Sequence, residues 1–180
     1  MYGEQANKYA AMAEDGSTSR YSRRFARLRR DVSRVRWSEV TLNGAPHKPL
    51  LLISVLDLFE QGQVRSGLIE LNPDLGELFT RYWTRIMPPD RRGNLALPFF
   101  HLRGDSFWHL VPKPGKQGVL EDAAQIRSLA RLQDAVIGTR LDDKLYGLLR
   151  AQGARDVLRS VLIETFFRPN CGPRLSSKGP

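Results

Sequence analysis

Cysteine is almost absent from the 180-residue chain, in which Cys171 stands alone. A single cysteine excludes a disulfide framework and any zinc module built from cysteine pairs. No apolar run reaches the roughly 18 residues that a membrane-spanning helix needs, and the longest, residues 49–59, is interrupted by Ser54 and Asp57. Because the N-terminal residues also show no apolar signal-peptide core, we expect a cytoplasmic protein with no membrane partner.

The familiar catalytic motifs are missing as well. The sequence has no HExxH zinc motif, no GxxxxGK[ST] phosphate loop, no GxSxG nucleophile elbow and no Asp…Glu-x-Lys arrangement of the restriction-nuclease type. Its three histidines, His47, His101 and His109, show none of the ligand spacing of a metal nuclease. We therefore expect no catalytic residue, no metal and no cofactor, with a site assembled from distant residues as the open alternative.

Acidic residues are in the minority, with 19 Asp and Glu against 28 Lys and Arg, for a formal net charge of +9. Most of the cations are arginines, whose planar fork matches both phosphates and guanine edges. A basic surface gains affinity for nucleic acid because it releases counterions from the phosphate backbone. The charge therefore favours a DNA-binding protein, with a merely solvated basic surface as the alternative.

The apolar periodicity predicts one mainly helical α+β domain over residues 20–168, between flexible tails at 1–19 and 169–180. A strand is predicted at 64–71, and residues 95–102 and 107–111 are predicted to pair as a hairpin. The predicted fold is a set of helices around a small antiparallel sheet, which consists of the hairpin plus one strand. The order of these elements resembles that of a winged-helix domain. The predicted helices begin near Arg20 (with Phe25, Leu28, Val32 and Val35 as its apolar stripe), Pro49, Asn72, Glu121, Asp142 and Gly153.

Two segments contain the candidate site residues. In the first, His47 and Lys48 stand between two prolines, directly before a buried helix whose N-terminus favours an anion. In the second, strand alternation would place Leu97, Phe99 and His101 on one face, with Pro98 interrupting the strand to leave an apolar dent. The structural alternatives are a simple capped helix start and a plain core hairpin. Four further candidates lie on either side of residues 97–101: Arg91, Arg92, Asn94 and Arg103.

These segments, APHKPLLL at 45–52 and NLALPFFHLRGDSFWHL at 94–110, resemble the sulfur-binding domain of McrA-type type IV restriction endonucleases. The resemblance extends over roughly residues 20–168. Members of that family recognise phosphorothioate DNA, in which sulfur replaces a non-bridging phosphate oxygen. The resemblance implies a recognition module for double-stranded DNA that is not itself an enzyme. In the family an HNH nuclease domain follows, so we expect such a domain downstream of this chain.

The resemblance also implies roles for individual residues. The basic pair of the sulfur pocket would be His47 and Lys48, and its proline-containing apolar wall would be Leu97, Pro98, Phe99 and His101. Some relatives carry Arg in place of Lys48 and a larger aromatic residue in place of Leu97, which affects the shape of the pocket. Residue type and position, and not the resemblance, make four residues that flank the pocket segment candidates for contacts with base edges in the major groove or with nearby phosphates: Arg91, Arg92, Asn94 and Arg103. Phosphate-positioning roles are expected for Arg23, Arg24, Arg27, Lys113 and Lys116.

Other interpretations of the sequence stay open. A general winged-helix regulator would bind unmodified operator DNA and would tolerate the loss of Pro98. A nuclease with an unrecognised site would cut DNA alone and would require a divalent metal. An RNA-binding domain is the weakest option, because the aromatic platform expected for single strands is not evident.

Overall fold

The computed structural model describes residues 16–30, 37–42, 44–122, 124 and 126–176. These residues form seven α-helices, three strands and three 3-10 helices, the last at Leu102–Gly104, Gln117–Leu120 and Pro169–Leu175. In chain order the main elements are α1 (Gly16–Ala26), α2 (His47–Glu60), β1 (Leu68–Glu70), α3 (Pro73–Ile86), α4 (Ala96–His101), β2 (Trp108–Pro112), α5 (Leu129–Ala135), β3 (Val136–Leu141), α6 (Asp143–Leu149) and α7 (Gln152–Phe166).

Helix α2 lies at the centre of the core. Every residue from Lys48 to Phe59 is buried, because the helix is apolar nearly all round and packs against α3, α4 and α7. Pro49 occupies its first turn, where the missing N–H costs no hydrogen bond. Gly62 follows its end with a positive φ of 69°, a conformation that favours glycine. Burial of α2 therefore fixes the position of its first residues, His47 and Lys48.

Helix α3 begins as its sequence predicts. The side chain of Asn72 accepts a hydrogen bond of 3.0 Å from the backbone N–H of Leu75, and Pro73 takes the first helical position. The helix ends at Ile86, shortly before Pro88 and Pro89, which cannot continue it. Its buried stripe faces the core: Leu75, Leu78, Phe79, Tyr82, Trp83 and Ile86.

The sheet has the strand order β1–β3–β2, and both pairings are antiparallel. The predicted fold class, mainly helical with a small antiparallel sheet, is thereby confirmed, while the winged-helix arrangement stays a prediction. Gly138 allows the close approach of β1 to β3, because a Cβ atom there would lie 2.3 Å from the carbonyl oxygen of Ile69.

One predicted strand is wrong, and one strand of the structure was not predicted. Residues 95–102, predicted as half of a hairpin, instead form α4 and the start of a 3-10 helix. The Asn94 side chain accepts from the N–H of Ala96 at 2.9 Å, and Pro98 then falls in the first turn, where proline is tolerated. The central strand β3, which no prediction covered, pairs with both β1 and β2. A run of six apolar residues has no decisive period, so the helix was mistaken for a strand.

Boundaries also shift. Within the described residues, α1 starts at Gly16 and ends at Ala26, whereas Val32 and Val35 of the predicted first helix lie outside them. The helix predicted from 121 starts at Leu129 instead. The boundary predicted for the C-terminal tail is wrong, because Pro169–Leu175 form a 3-10 helix in which Cys171 and Leu175 are buried. Residues 1–15 and 177–180 of the predicted tails lie outside the described residues.

No helix in the part of the chain that the structure describes is long and apolar enough to cross a membrane.

A buried polar cluster joins three helices and the C-terminal segment. Arg159 of α7 donates to Oδ1 of Asp57 in α2, and the hydroxyl of Tyr82 in α3 donates to Oδ2 at 2.5 Å. Arg159 also donates to the carbonyl oxygen of Leu175 at 3.3 Å. Burial, together with the neighbouring Asp57 carboxylate, raises the pKa of Tyr82 to about 12. The one carboxylate buried in α2 is thus fully engaged by partners from other elements.

We predict that Asp57→Asn lowers the free energy of unfolding by about 3–5 kcal/mol, because it leaves the buried Arg159 cation without its counter-charge. Urea unfolding followed by circular dichroism measures the change. Glu60→Gln is the matched control: its carboxylate lies 3.9 Å from Arg159, but the Glu60 side chain is 41% exposed, so we expect a loss of about 1 kcal/mol or less. Equal losses in the two variants would contradict this account.

Candidate functional site

A cleft of about 790 Å³ opens where the segment after α1, the loop before α2 and the start of α4 meet. We call it the main cleft. Cations and aromatic or apolar side chains both line it, so it combines positive charge with surface that water hydrates weakly. Its lining residues are Arg29, Arg30, Trp37, Ala45, His47, Lys48, Trp83, Asp90, Arg91, Arg92, Asn94, Leu97, Pro98, His101 and Gly104.

The main cleft brings together the two segments that the sequence singled out. His47 and Lys48 reach it from α2, and Leu97, Pro98 and His101 reach it from α4. Leu97 and His101 are one helical turn apart, so both side chains lie on the exposed face of α4. Three more of the predicted residues line the same cleft: Arg91, Arg92 and Asn94.

Phe99, predicted as part of the apolar wall, lies elsewhere. It is 0% exposed, and its ring meets Trp108 edge-on with centroids 5.1 Å apart. The indole Nε1 of Trp108 donates to the Phe99 carbonyl oxygen at 2.9 Å. Strand alternation had grouped Phe99 with Leu97 and His101, whereas the helical period turns it into the core. Phe99 therefore supports the wall from behind by fixing α4 against β2.

Lys48 has an acidic partner that the sequence reasoning missed. Its Nζ lies 2.6 Å from Oδ2 of Asp105, and the two side chains are only 10% and 9% exposed. Oδ1 of Asp105 also accepts from the backbone N–H of Arg29 at 3.4 Å. The charge of Lys48 is therefore balanced within the protein before any ligand arrives. Asp105 stands in the second resembling segment, but nothing local in the sequence connects it with Lys48.

His101 lies beside two cations. Burial lowers the pKa of His101, and the positive charges of Lys48 and Arg103 lower it further. Since an imidazole normally titrates near 6.5, His101 is mainly neutral at pH 7. A neutral imidazole offers one donor and one acceptor, so His101 can form a hydrogen bond with an anion but adds no charge.

Aromatic rings hold His47 in place. Its ring centroid lies 5.2 Å from that of Trp37 and 4.6 Å from that of Trp83. Trp83 Nε1 donates to the carbonyl oxygen of Arg91 at 2.7 Å, and the guanidinium of Arg91 lies 5.3 Å from the Trp37 ring centroid. The two tryptophans thus position both a histidine and an arginine of the main cleft. Nothing local in the sequence connects Trp83 with either residue.

A second cleft, of about 620 Å³, adjoins the main one and is lined on one side by arginines of α1 and the residues just after it. We call it the arginine cleft. Arg29 and Gly104 line both clefts, so the two lie side by side. The predicted phosphate contacts Arg23, Arg24 and Arg27 all line it, together with Arg20, Asp105, Ser106 and Phe107.

Asp142 holds α1 in that position. It accepts from the hydroxyl of Tyr21 at 3.0 Å, forms an ion pair of 3.3 Å with Arg24, and lies 2.8 Å from Nε2 of His109. Burial opposes the charge of Asp142, but the hydrogen bonds from His109 and Tyr21 outweigh it and lower the pKa of the carboxyl. Arg24 is therefore partly balanced, whereas Arg23 and Arg27 are exposed.

Three predicted DNA contacts line neither cleft. The guanidinium of Arg103 lies 3.9 Å from the Phe100 ring centroid and donates to the carbonyl oxygen of Leu120. Lys116 forms an exposed ion pair of 2.9 Å with Asp134, and Lys113 is exposed in the loop after β2. The described residues also contain no group of three or more His, Cys, Asp or Glu that could hold a metal ion.

Comparison with protein-family models matches residues 25–176 to the ScoMcrA-like, DNA sulfur-binding domain. The match covers most of the chain, including both segments that line the main cleft. A search of curated proteins gave no match.

We predict that Gly93→Ala destabilises the protein by about 1–3 kcal/mol through overpacking. A Cβ atom at Gly93 would lie 2.8 Å from Cδ2 of Trp83, whose ring is held by its hydrogen bond to Arg91. Thermal unfolding measures the loss, and binding of DNA should weaken with it because Trp83 lines the main cleft. Gly118→Ala is the control, since nothing lies within 4 Å of its Cβ position. A Gly93→Ala variant with unchanged thermal stability would contradict the packing described around Trp83.

Proposed function

We propose, because the chain belongs to the family of ScoMcrA-like DNA sulfur-binding domains, that its main cleft binds a phosphorothioate group of double-stranded DNA. The observation that supports this proposal is the meeting of two distant segments in one cleft. His47 and Lys48 supply polar and charged groups on one side, and Leu97 and Pro98 supply apolar surface on the other.

Discrimination between sulfur and oxygen would come from the apolar surface. A phosphorothioate keeps the negative charge of a phosphate, but sulfur is larger, more polarizable and more weakly hydrated than oxygen. Against Leu97 and Pro98 a phosphate oxygen would lose hydrogen bonds to water without replacement. Protein data place that loss at about 1–3 kcal/mol, which corresponds to roughly ten- to hundredfold weaker binding.

Polar residues of the main cleft would bind the remaining phosphate oxygens. The tryptophans hold the ring of His47 in one orientation, and the neutral His101 adds a further hydrogen bond. Lys48 has three N–H donors, of which Asp105 takes at least one, so the others stay available. A site whose groups are fixed before binding loses little conformational entropy when the ligand arrives.

Flanking DNA would lie along both clefts. Arg91, Arg92 and Asn94, along the main cleft, would contact base edges in the major groove or adjacent phosphates. Arg23 and Arg27, exposed in the arginine cleft, would contact the backbone on the other side. In this proposal Arg103, Lys113 and Lys116 contact DNA beyond the two clefts, and Arg24 contributes together with its partner Asp142.

The domain would serve as the recognition module of a modification-dependent restriction endonuclease. Binding of a sulfur-marked site would then direct a nuclease domain, of the HNH type found in McrA-type proteins, to the marked DNA. The binding chemistry described here needs neither a metal nor a cofactor, since every contact is a hydrogen bond, an ion pair or an apolar contact.

We predict that the protein binds a GC-rich duplex with a single phosphorothioate at least tenfold more tightly than the same unmodified duplex. The measurement is a titration by fluorescence anisotropy at fixed physiological salt without divalent metal, over a pool of sequences and both phosphorus stereoisomers. Equal affinity for modified and unmodified DNA throughout the pool would reject the sulfur proposal and favour a general DNA-binding domain.

We predict that Leu97→Asn reduces the preference for modified DNA about tenfold, because it places a polar group on the apolar wall. Leu97 is 37% exposed, so its replacement should leave the fold intact. Leu129→Asn is the matched control, since Leu129 is 39% exposed but lies outside the main cleft. The ratio of the two dissociation constants is measured for each variant, and an unchanged ratio in Leu97→Asn would remove Leu97 from the sulfur pocket. Pro98→Ala should likewise reduce the ratio.

We predict that Arg27→Ala weakens binding to modified and unmodified duplexes by the same factor. An exposed arginine that contacts a phosphate provides charge without distinguishing sulfur from oxygen. The same pair of titrations measures this effect. If Arg27→Ala changed the ratio instead, its contact would have to lie at the modified phosphate itself.

A further inference from the structure

Arg30 differs from the other cations of the main cleft in its surroundings. It is half-buried, and its guanidinium lies 4.1 Å from the ring centroid of Phe166. Its Nη1 donates to the carbonyl oxygens of Gly44 at 3.3 Å and Ala45 at 3.4 Å. No carboxylate among the residues that the structure describes pairs with it. Two neutral carbonyls and one aromatic ring therefore hold a full positive charge at the wall of a cleft.

The two cations that are fully buried in the described core are balanced by acids. Arg159 lies against Asp57, and Lys48 lies 2.6 Å from Asp105. Removal of a charge from water without a counter-charge is unfavourable, which is why buried ions in proteins are normally paired. Burial lowers the pKa of Arg30 to about 10, and none of the acids that the structure describes forms an ion pair with it. An anion bound next to Arg30 would supply the missing counter-charge.

We infer that Arg30 binds a backbone phosphate of DNA in the main cleft through its positive charge. The charge of Lys48, in contrast, is largely neutralised by Asp105. This inference rests on the proposed function of the main cleft as a DNA site. Arg30 donates to Ala45, two residues before His47, so its guanidinium stands beside the loop that presents His47. Phe166 and the two carbonyls fix the guanidinium before binding, so little side-chain entropy is lost in the complex.

The salt dependence of binding distinguishes a phosphate contact from a purely structural role. For B-DNA the slope of log K against log salt is about −0.9 for each phosphate that the protein neutralises. We expect Arg30→Met to make this slope shallower by about one and to weaken binding several-fold on modified and unmodified duplexes alike. Arg30→Lys should retain the slope, because it retains the charge.

Arg155→Met is the matched control. Arg155 is also partly buried and also donates through Nη1 to two backbone carbonyls, those of Leu149 at 2.8 Å and Arg150 at 3.0 Å. It lines neither cleft, and its removal lowers the net charge by the same amount. We expect Arg155→Met to keep the native slope. Equal slopes for Arg30→Met and Arg155→Met in folded protein would overturn the inference, as would a slope in Arg30→Lys as shallow as that in Arg30→Met.

A second measurement uses the native protein, in case Arg30→Met fails to fold. The guanidinium resonance of Arg30 is identified by its loss from the spectrum of Arg30→Lys and is then followed during titration with the unmodified duplex. A shift that saturates with DNA supports the contact, and an unshifted resonance in the saturated complex overturns it. Because the unmodified duplex suffices, the role of Arg30 is decided separately from the preference for sulfur.

Discussion

The packing of the helices depends on one buried ion pair, between Asp57 of the apolar helix α2 and Arg159 of α7. Asp57 is the acid of α2 that lies in the core, and Arg159 of α7 and Tyr82 of α3 both bond to it. Arg159 also reaches the carbonyl of Leu175, so the same cluster attaches the C-terminal 3-10 helix. An unpaired charge at this depth would be strongly unfavourable. The three helices therefore pack in the arrangement that satisfies it, and α2 is held with its first turn at the edge of the core.

The same rule of charge balance divides the cations of the candidate site into two kinds. Lys48 and Arg24 have carboxylate partners, Asp105 and Asp142, that belong to the fold. Arg30 has only neutral partners among the described residues, and Arg23 and Arg27 face solvent. A count of positive charges in the sequence treats all of these residues alike. Their capacity to attract a phosphate differs, because a charge that is already paired gains less from a second anion.

Rigid aromatic packing complements this distribution of charge. Trp37 and Trp83 enclose the ring of His47, and Trp108 fixes α4 through the carbonyl of Phe99. Both sides of the main cleft are thereby held in place by residues of the core. A difference of one atom between sulfur and oxygen is small, and a cleft can respond to it only if its walls do not adapt to either ligand.

Local patterns in the sequence determined the helical character of the chain, the capping of α3 by Asn72 and the burial of α2. They also determined the two segments that hold His47, Lys48, Leu97, Pro98 and His101. Each depends on neighbours within a few residues, through capping, proline geometry or apolar period. The tertiary structure alone decided that residues 96–101 form a helix, that β3 is the central strand, that Phe99 turns inward, and that Asp105 meets Lys48 while Arg30 meets no described acid. These outcomes depend on contacts between residues far apart in the chain, whose free energies override weak local preferences and leave no local pattern.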